Sequence, residues 1–258
     1  MAGQRKLSKN AWKWAFYDWA NSGFATTVMA GFFPIFFKSF WAGDLEATQS
    51  TFVIGSVNSL IGLLIAISAP ILGAIADAGK TKKKFLFIFA ALGILATGYL
   101  FFIPESSWKL AVVFYGLGVI GFSGGNIFYD ALIVSVSSPD ERNRTSSLGF
   151  SLGYLGGGLL FLLNVAMYLY PHWFGLSGPA DAVLWSFLSV AIWWFIFSMP
   201  LLLYVKETSD LVEKENNNIV STAFTNLLST AKSVRNYKKV VIFLLAYFLY
   251  MDGVDTII

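Results

Sequence analysis

Residues 51–84 read TFVIGSVNSLIGLLIAISAPILGAIADAGKTKKK. From Thr51 to Ala76 no side chain is charged. As an α-helix, such a run crosses a hydrocarbon layer about 30 Å thick, for which roughly 20 residues suffice. Asp77 then breaks the apolar run, and Lys80, Lys82, Lys83 and Lys84 follow within a short turn. A charge-free run ending in lysines is a membrane span meeting an aqueous face, where cations anchor the helix end.

The rest of the chain repeats this pattern. Apolar stretches near 14–38, 51–76, 85–103, 110–136, 146–170 and 182–205 predict six complete crossings, and a seventh starts near Val240 and runs to the last residue. The composition agrees: 56% of residues are apolar and 13% charged, against about 25% charged in a soluble domain. Mean hydropathy is +0.65. Nine tryptophans suit the bilayer interface. The expected fold is an all-α integral membrane protein.

The same composition excludes several chemistries. There is no cysteine, so there are no disulfides, thiolate metal sites or cysteine nucleophiles. With one histidine, His172, no histidine-based metal centre is expected, and neither is any cofactor or nucleic-acid partner. Residues 1–13 are polar and basic and lack the apolar core and cleavage site of a signal peptide.

Lysine and arginine set the expected orientation. Arg5, Lys6, Lys9 and Lys13 precede crossing one, Lys80 and Lys82–Lys84 follow crossing two, and Arg142 and Arg144 follow crossing four. Lys206, Lys214, Lys232, Arg235, Lys238 and Lys239 separate crossings six and seven, leaving only Lys38 and Lys109 for the opposite face. Sixteen cations against two place the N-terminus in the cytoplasm.

Three segments follow: a six-helix bundle over 1–205, a cytoplasmic loop over 206–238, and the start of a second bundle over 239–258. The loop begins KETSDLVEKENNN. Beyond it Ile219, Ala223, Phe224, Leu227, Leu228 and Ala231 fall near helical spacing, which predicts an amphipathic helix on the membrane surface. The chain stops at Asp255-Thr-Ile-Ile258 inside an apolar helix without a basic anchor, so the sequence is expected to be incomplete.

Polar residues inside the spans are the candidate functional groups. Asp18, Asn21, Ser22 and Ala25 share one face of crossing one. Ser123, Asn126 and Asp130 share one face of crossing four. A carboxylate in a spanning helix costs about 2.5–3.5 kcal/mol, so such stripes face a cavity or a partner helix. Asp18 lies about four residues, roughly 6 Å, inside the predicted start of its span, close enough to the interface for a wet carboxylate to be the alternative. Gly149, Gly153 and Gly157 recur every fourth residue in crossing five and form a flat strip against which another helix packs. At the end of crossing two, Gly73, Asp77, Gly79, Lys80, Lys82, Lys83 and Lys84 can form a charged latch on a cytoplasmic loop.

An enzyme is the rival reading. GFSG, Gly121–Gly124, matches the G-x-S-G of rhomboid-type intramembrane serine proteases, but residues 182–205 contain no histidine to act as the base. A retinal-type photoreceptor also fails, because residues 240–258 contain no lysine for a Schiff base. A non-transporting scaffold or sensor would have no reason to stripe two helices with carboxylates and amides.

Together these residues resemble the major facilitator superfamily of twelve-helix secondary transporters. Gly73, Asp77 and the lysine run look like its signature G-x-x-x-D-x-x-G-(R/K), with Lys80 standing where the glycine should be. YDWANSGFATTV, GFSLGYLGGGLL and FLLAYFLYMDGV look like the autophagy-related vacuolar amino-acid effluxers and their bacterial permease relatives. The resemblance implies an N-terminal six-helix bundle of a major facilitator fold plus a partial seventh helix, lacking the C-terminal half. It further implies a carrier of a small solute, with amino-acid export as the best-known activity, coupled to protons or another gradient and working by alternating access. Its home would be the inner membrane of a bacterium, or the vacuolar membrane of a eukaryote. Helices one, four and seven would line the path, bringing forward Asp18, Asn21, Asn126, Asp130, Asp252 and Asp255.

Overall fold

A computed structural model of the chain describes residues 7–207 and 237–257 and the isolated positions 225, 229 and 233. The predicted surface helix, with Ile219, Ala223, Phe224, Leu227, Leu228 and Ala231, lies outside the described residues, as do Arg5, Lys6, Lys214, Lys232 and Arg235. Seven long helices follow one another: α1 (Lys9–Trp41), α2 (Ala47–Gly79), α3 (Lys82–Tyr99), α4 (Trp108–Ala131), α5 (Arg142–Leu169), α6 (Pro179–Tyr204) and α7 (Lys238–Ile257). No strand occurs among the described residues. The first six are long and apolar enough to cross a membrane.

Capping chemistry, rather than hydropathy, sets the helix ends. The Ser8 hydroxyl accepts the Ala11 N–H at 3.0 Å and so starts α1 well before the apolar stretch. The same hydroxyl donates to Val136 O at 3.1 Å, joining the start of the chain to the exit of α4. The expected span 110–136 divides instead. After Ala131 the Leu132 N–H is shared between Phe128 O and Tyr129 O, both at 3.1 Å, and only a single turn, Ile133–Val136, follows.

α1 changes character midway. Over Phe24–Phe32 and again over Phe37–Trp41 its backbone widens to i→i+5 bonding, as in Ala42 N–H to Phe37 O at 2.7 Å. Pro34, between the two segments, has no N–H to give to a helical ladder. Thr26 compensates locally, its hydroxyl donating to Ser22 O at 2.9 Å and lying 3.2 Å from Gly157 O of α5.

Glycines let the helices approach closely. On α4, Gly121 lies against the Gly93 backbone of α3 and Gly124 against the Phe89 ring. Gly93 also receives the Trp194 ring of α6. GFSG is therefore a packing surface between α3 and α4, while His172 sits exposed in the turn Pro171–Phe174. That accounts for the motif without protease chemistry.

The apolar interior forms two clusters. One holds Ala20, Phe24 and Val28 of α1, Tyr115 and Val119 of α4, and Phe187, Val190 and Trp194 of α6. The other holds Trp14, Ala15 and Tyr17 of α1, Phe128 and Tyr129 of α4 with Leu132 just beyond its end, and Leu201 of α6. Between them on the same helices lie Asp18, Asn126 and Ser198. A thin polar layer thus divides the core.

The connections sort the charges by end. Lys83 Nζ donates to Val205 O at 2.8 Å, and Lys13 Nζ sits 4.9 Å from the centre of the Tyr204 ring. With the Ser8–Val136 bond, these contacts gather the start of α1, the α2–α3 turn, the exit of α4 and the end of α6 at one end of the bundle. At the other end, where Lys38 and Lys109 lie, Trp41 Nε1 donates to Ile103 O at 3.2 Å and Ser106 N–H to Phe40 O at 3.1 Å.

Candidate functional site

Asp18 stands nine residues past the first residue of α1, about 14 Å along the helix. That is deeper in its helix than an apolar start near residue 14 suggests. Its carboxylate is half-buried, and Oδ1 accepts the Ser22 hydroxyl one turn on at 3.2 Å. α5 closes over this pair. A Cβ placed on Gly153 would stand 2.8 Å from Ser22 Oγ and 2.9 Å from Asp18 Cγ, and one on Gly157 would stand 2.9 Å from Ser22 O. At Gly149 the corresponding neighbours are the Tyr129 hydroxyl at 2.8 Å and the Trp14 ring at 2.9 Å. The glycine strip is thus the bed on which the polar face of α1 lies.

Asn21 turns to the other neighbour. It is fully buried, and its Nδ2 donates to Asn126 Oδ1 of α4 at 2.6 Å. Asn21 Oδ1 remains without a hydrogen-bond partner, as does the buried hydroxyl of Tyr129. A buried acceptor and a buried hydroxyl left open beside a carboxylate are groups that a proton, a water or a polar solute can satisfy. Asp130, one turn beyond Asn126, is exposed at the end of α4, and its neighbour Tyr129 packs against Trp14 and Tyr17 of α1. Asp18, Asn21, Asn126 and Asp130 therefore form one region. Asp252 and Asp255 lie on α7, where the side chains are outside the described residues.

Sequence reasoning did not find the aromatic frame of this region. Trp14 stacks on Tyr129 with ring centres 4.2 Å apart and donates from Nε1 to Tyr129 O at 2.8 Å. Trp193 Nε1 donates to Trp19 O at 3.1 Å. These bonds join residues more than 100 positions apart and leave no local signal, although an indole inside a span does signal a need for an acceptor.

The α2–α3 turn is built separately. α2 ends with Thr81 N–H on Ala76 O at 3.0 Å, and Lys80 takes the left-handed conformation at φ 51°. That is a Schellman stop, in which glycine is the usual residue. Gly79 precedes it, and Gly73 faces open space. Lys82 Nζ pairs with the half-exposed Asp77 at 2.6 Å, while Lys80 and Lys84 are exposed.

The fold and these groups define an all-α, multi-pass membrane protein with a polar seam inside its bundle. The family model described as "Vacuole effluxer Atg22 like" matches residues 41–137 and 134–258. The chain belongs to that family. It is 38% identical over 98% of its length to an uncharacterized MFS-type transporter, YxiO, of Bacillus subtilis, covering 59% of that protein. It is 22% identical over 78% of its length to autophagy-related protein 22 of Yarrowia lipolytica, covering 46% of it. The Saccharomyces cerevisiae protein of that name is 23% identical over 83% of the chain, which covers 47% of it. The chain thus spans about half the length of the curated relatives it matches. The relatives are named as transporters or autophagy proteins, not as enzymes. No solved structure matches.

Proposed function

We propose that the chain is the N-terminal bundle, with the linker and the start of the second bundle, of a major facilitator-type secondary transporter that moves a small solute by alternating access. Residues 1–205 are the bundle, 206–238 the linker and 239–258 the opening of the second half. The observation that carries this reading is the polar seam: Asp18, Asn21 and Ser22 against Asn126 and Asp130, placed between two apolar cores. Transmembrane carboxylates mark solute and proton pathways. Similarity to the vacuole effluxers and to an MFS-type transporter supports the same reading. Amino acids are the proposed solute and protons the coupling ion.

The lysine-rich end of the bundle faces the cytoplasm in this scheme, by the positive-inside rule. The membrane is the bacterial inner membrane, or the vacuolar membrane in a eukaryotic setting. Gly73, Asp77, Gly79, Lys80 and Lys82–Lys84 act as the cytoplasmic latch. Asp252 and Asp255 are the residues proposed for the pathway from the second half.

The test is flux of labelled amino acids into vesicles holding the full-length natural protein, measured across pH. Asp18→Asn and Asp130→Asn are expected to lower transport and flatten its pH dependence while the protein still inserts. Unchanged flux with an unchanged pH profile in both variants would sink the reading.

A further inference from the structure

Glu207 stands three residues beyond the end of α6, yet its carboxylate is engaged on α3. Oε1 accepts the backbone N–H of Lys82 at 3.1 Å and Oε2 that of Lys83 at 3.3 Å. These are the first two N–H groups of α3, which have no partner within their own helix. Thr81, the preceding residue, makes no side-chain cap. The cap for α3 therefore comes from a residue 125 positions away.

The link is doubled in the reverse direction. Lys83 Nζ donates to Val205 O at 2.8 Å, and Val205 is fully buried. Lys82 bonds Glu207 through its backbone and Asp77 through its ammonium, so one residue ties the end of α2 to the segment leaving α6. A carboxylate here also meets the positive end of the α3 dipole.

We infer that Glu207 is a latch joining the root of the 206–237 linker to the α2–α3 turn, so that the two are held together and released together. α7 connects to the bundle covalently only through that linker. Glu207 is therefore the point at which the chain leading toward α7 is fastened to the first turn of α3. The turn that carries Asp77 and the lysines is thereby tied to the segment leaving α6. This role stands whether or not the protein transports a solute.

The test is amide hydrogen exchange and limited proteolysis of the full-length protein in lipid nanodiscs. In Glu207→Ala the Lys82 and Lys83 amides are expected to exchange about fivefold faster, as for a lost helix cap. Cleavage within 206–237 is expected to rise with it. Glu207→Gln keeps an acceptor oxygen but loses the charge, and should fall between wild type and Glu207→Ala; it also serves if the alanine variant folds poorly. Unchanged exchange at Lys82 and Lys83 would overturn the inference. So would faster exchange spread evenly along α3 and α6, which would mean general loosening, or faster exchange with no change in linker cleavage.

Discussion

The Nδ2 of Asn21 lies 2.6 Å from the Oδ1 of Asn126, joining α1 to α4 one turn past Asp18, beside Ala20 of the first apolar core. Interhelical side-chain bonds in membranes contribute about 0.6–2 kcal/mol, because the separated helices also find partners. The bond is therefore too weak to be the main reason the bundle holds together.

Asn21→Leu and Asn126→Leu should each lower thermal stability in detergent, since each leaves a polar partner buried alone. The double variant should recover most of the loss, with a coupling of about 1 kcal/mol in the cycle. For the proposed full-length carrier, flux should be lost in both single variants and remain lost in the double variant. Recovery of flux along with stability would make the pair structural only.

Gly153 and Gly158 lie on the same helix but should respond oppositely. A methyl on Gly153 meets Asp18 and Ser22, whereas nothing lies within 4 Å of one on Gly158. Gly153→Ala should destabilise by about 1–3 kcal/mol through overpacking. Gly158→Ala should be neutral or stabilise by up to about 1 kcal/mol, through helix propensity. Melting of the two purified variants in one detergent decides between them, and equal effects would mean that α1 does not rest on the strip.

Lys80→Gly should raise stability by about 1 kcal/mol, because a left-handed residue with a Cβ costs about that much. The gain should leave the Asp77–Lys82 pair intact, since Lys80 takes no part in it. A loss of stability would show that the Lys80 ammonium contributes more than its backbone costs.

Hydropathy located each helix because a span must be long, apolar and uncharged, and that is a local property. It failed at ends set by single hydrogen bonds, such as Ser8 capping α1 and the shared Leu132 N–H that closes α4. The glycine strip was legible because its spacing of four is itself the packing surface. Sequence alone placed Asp18 and Asn21 on one face; only the fold sends Asp18 toward α5 and Asn21 toward α4. Glu207 escaped notice because a cap supplied from 125 positions away has no local spacing to betray it.

The division of the core has a mechanical consequence. Two apolar compartments are stacked along the helices, with Asp18, Asn126 and Ser198 between them, and Ile94 packs against both. The wide stretch of α1 begins at Phe24, one turn beyond Asn21. The widened stretches of α1 belong to the first cluster, through Phe24, Val28, Phe37 and Trp41, so the two compartments meet α1 through backbones of different width and can repack independently. A bundle divided in this way can open at one mouth without coming apart at the other.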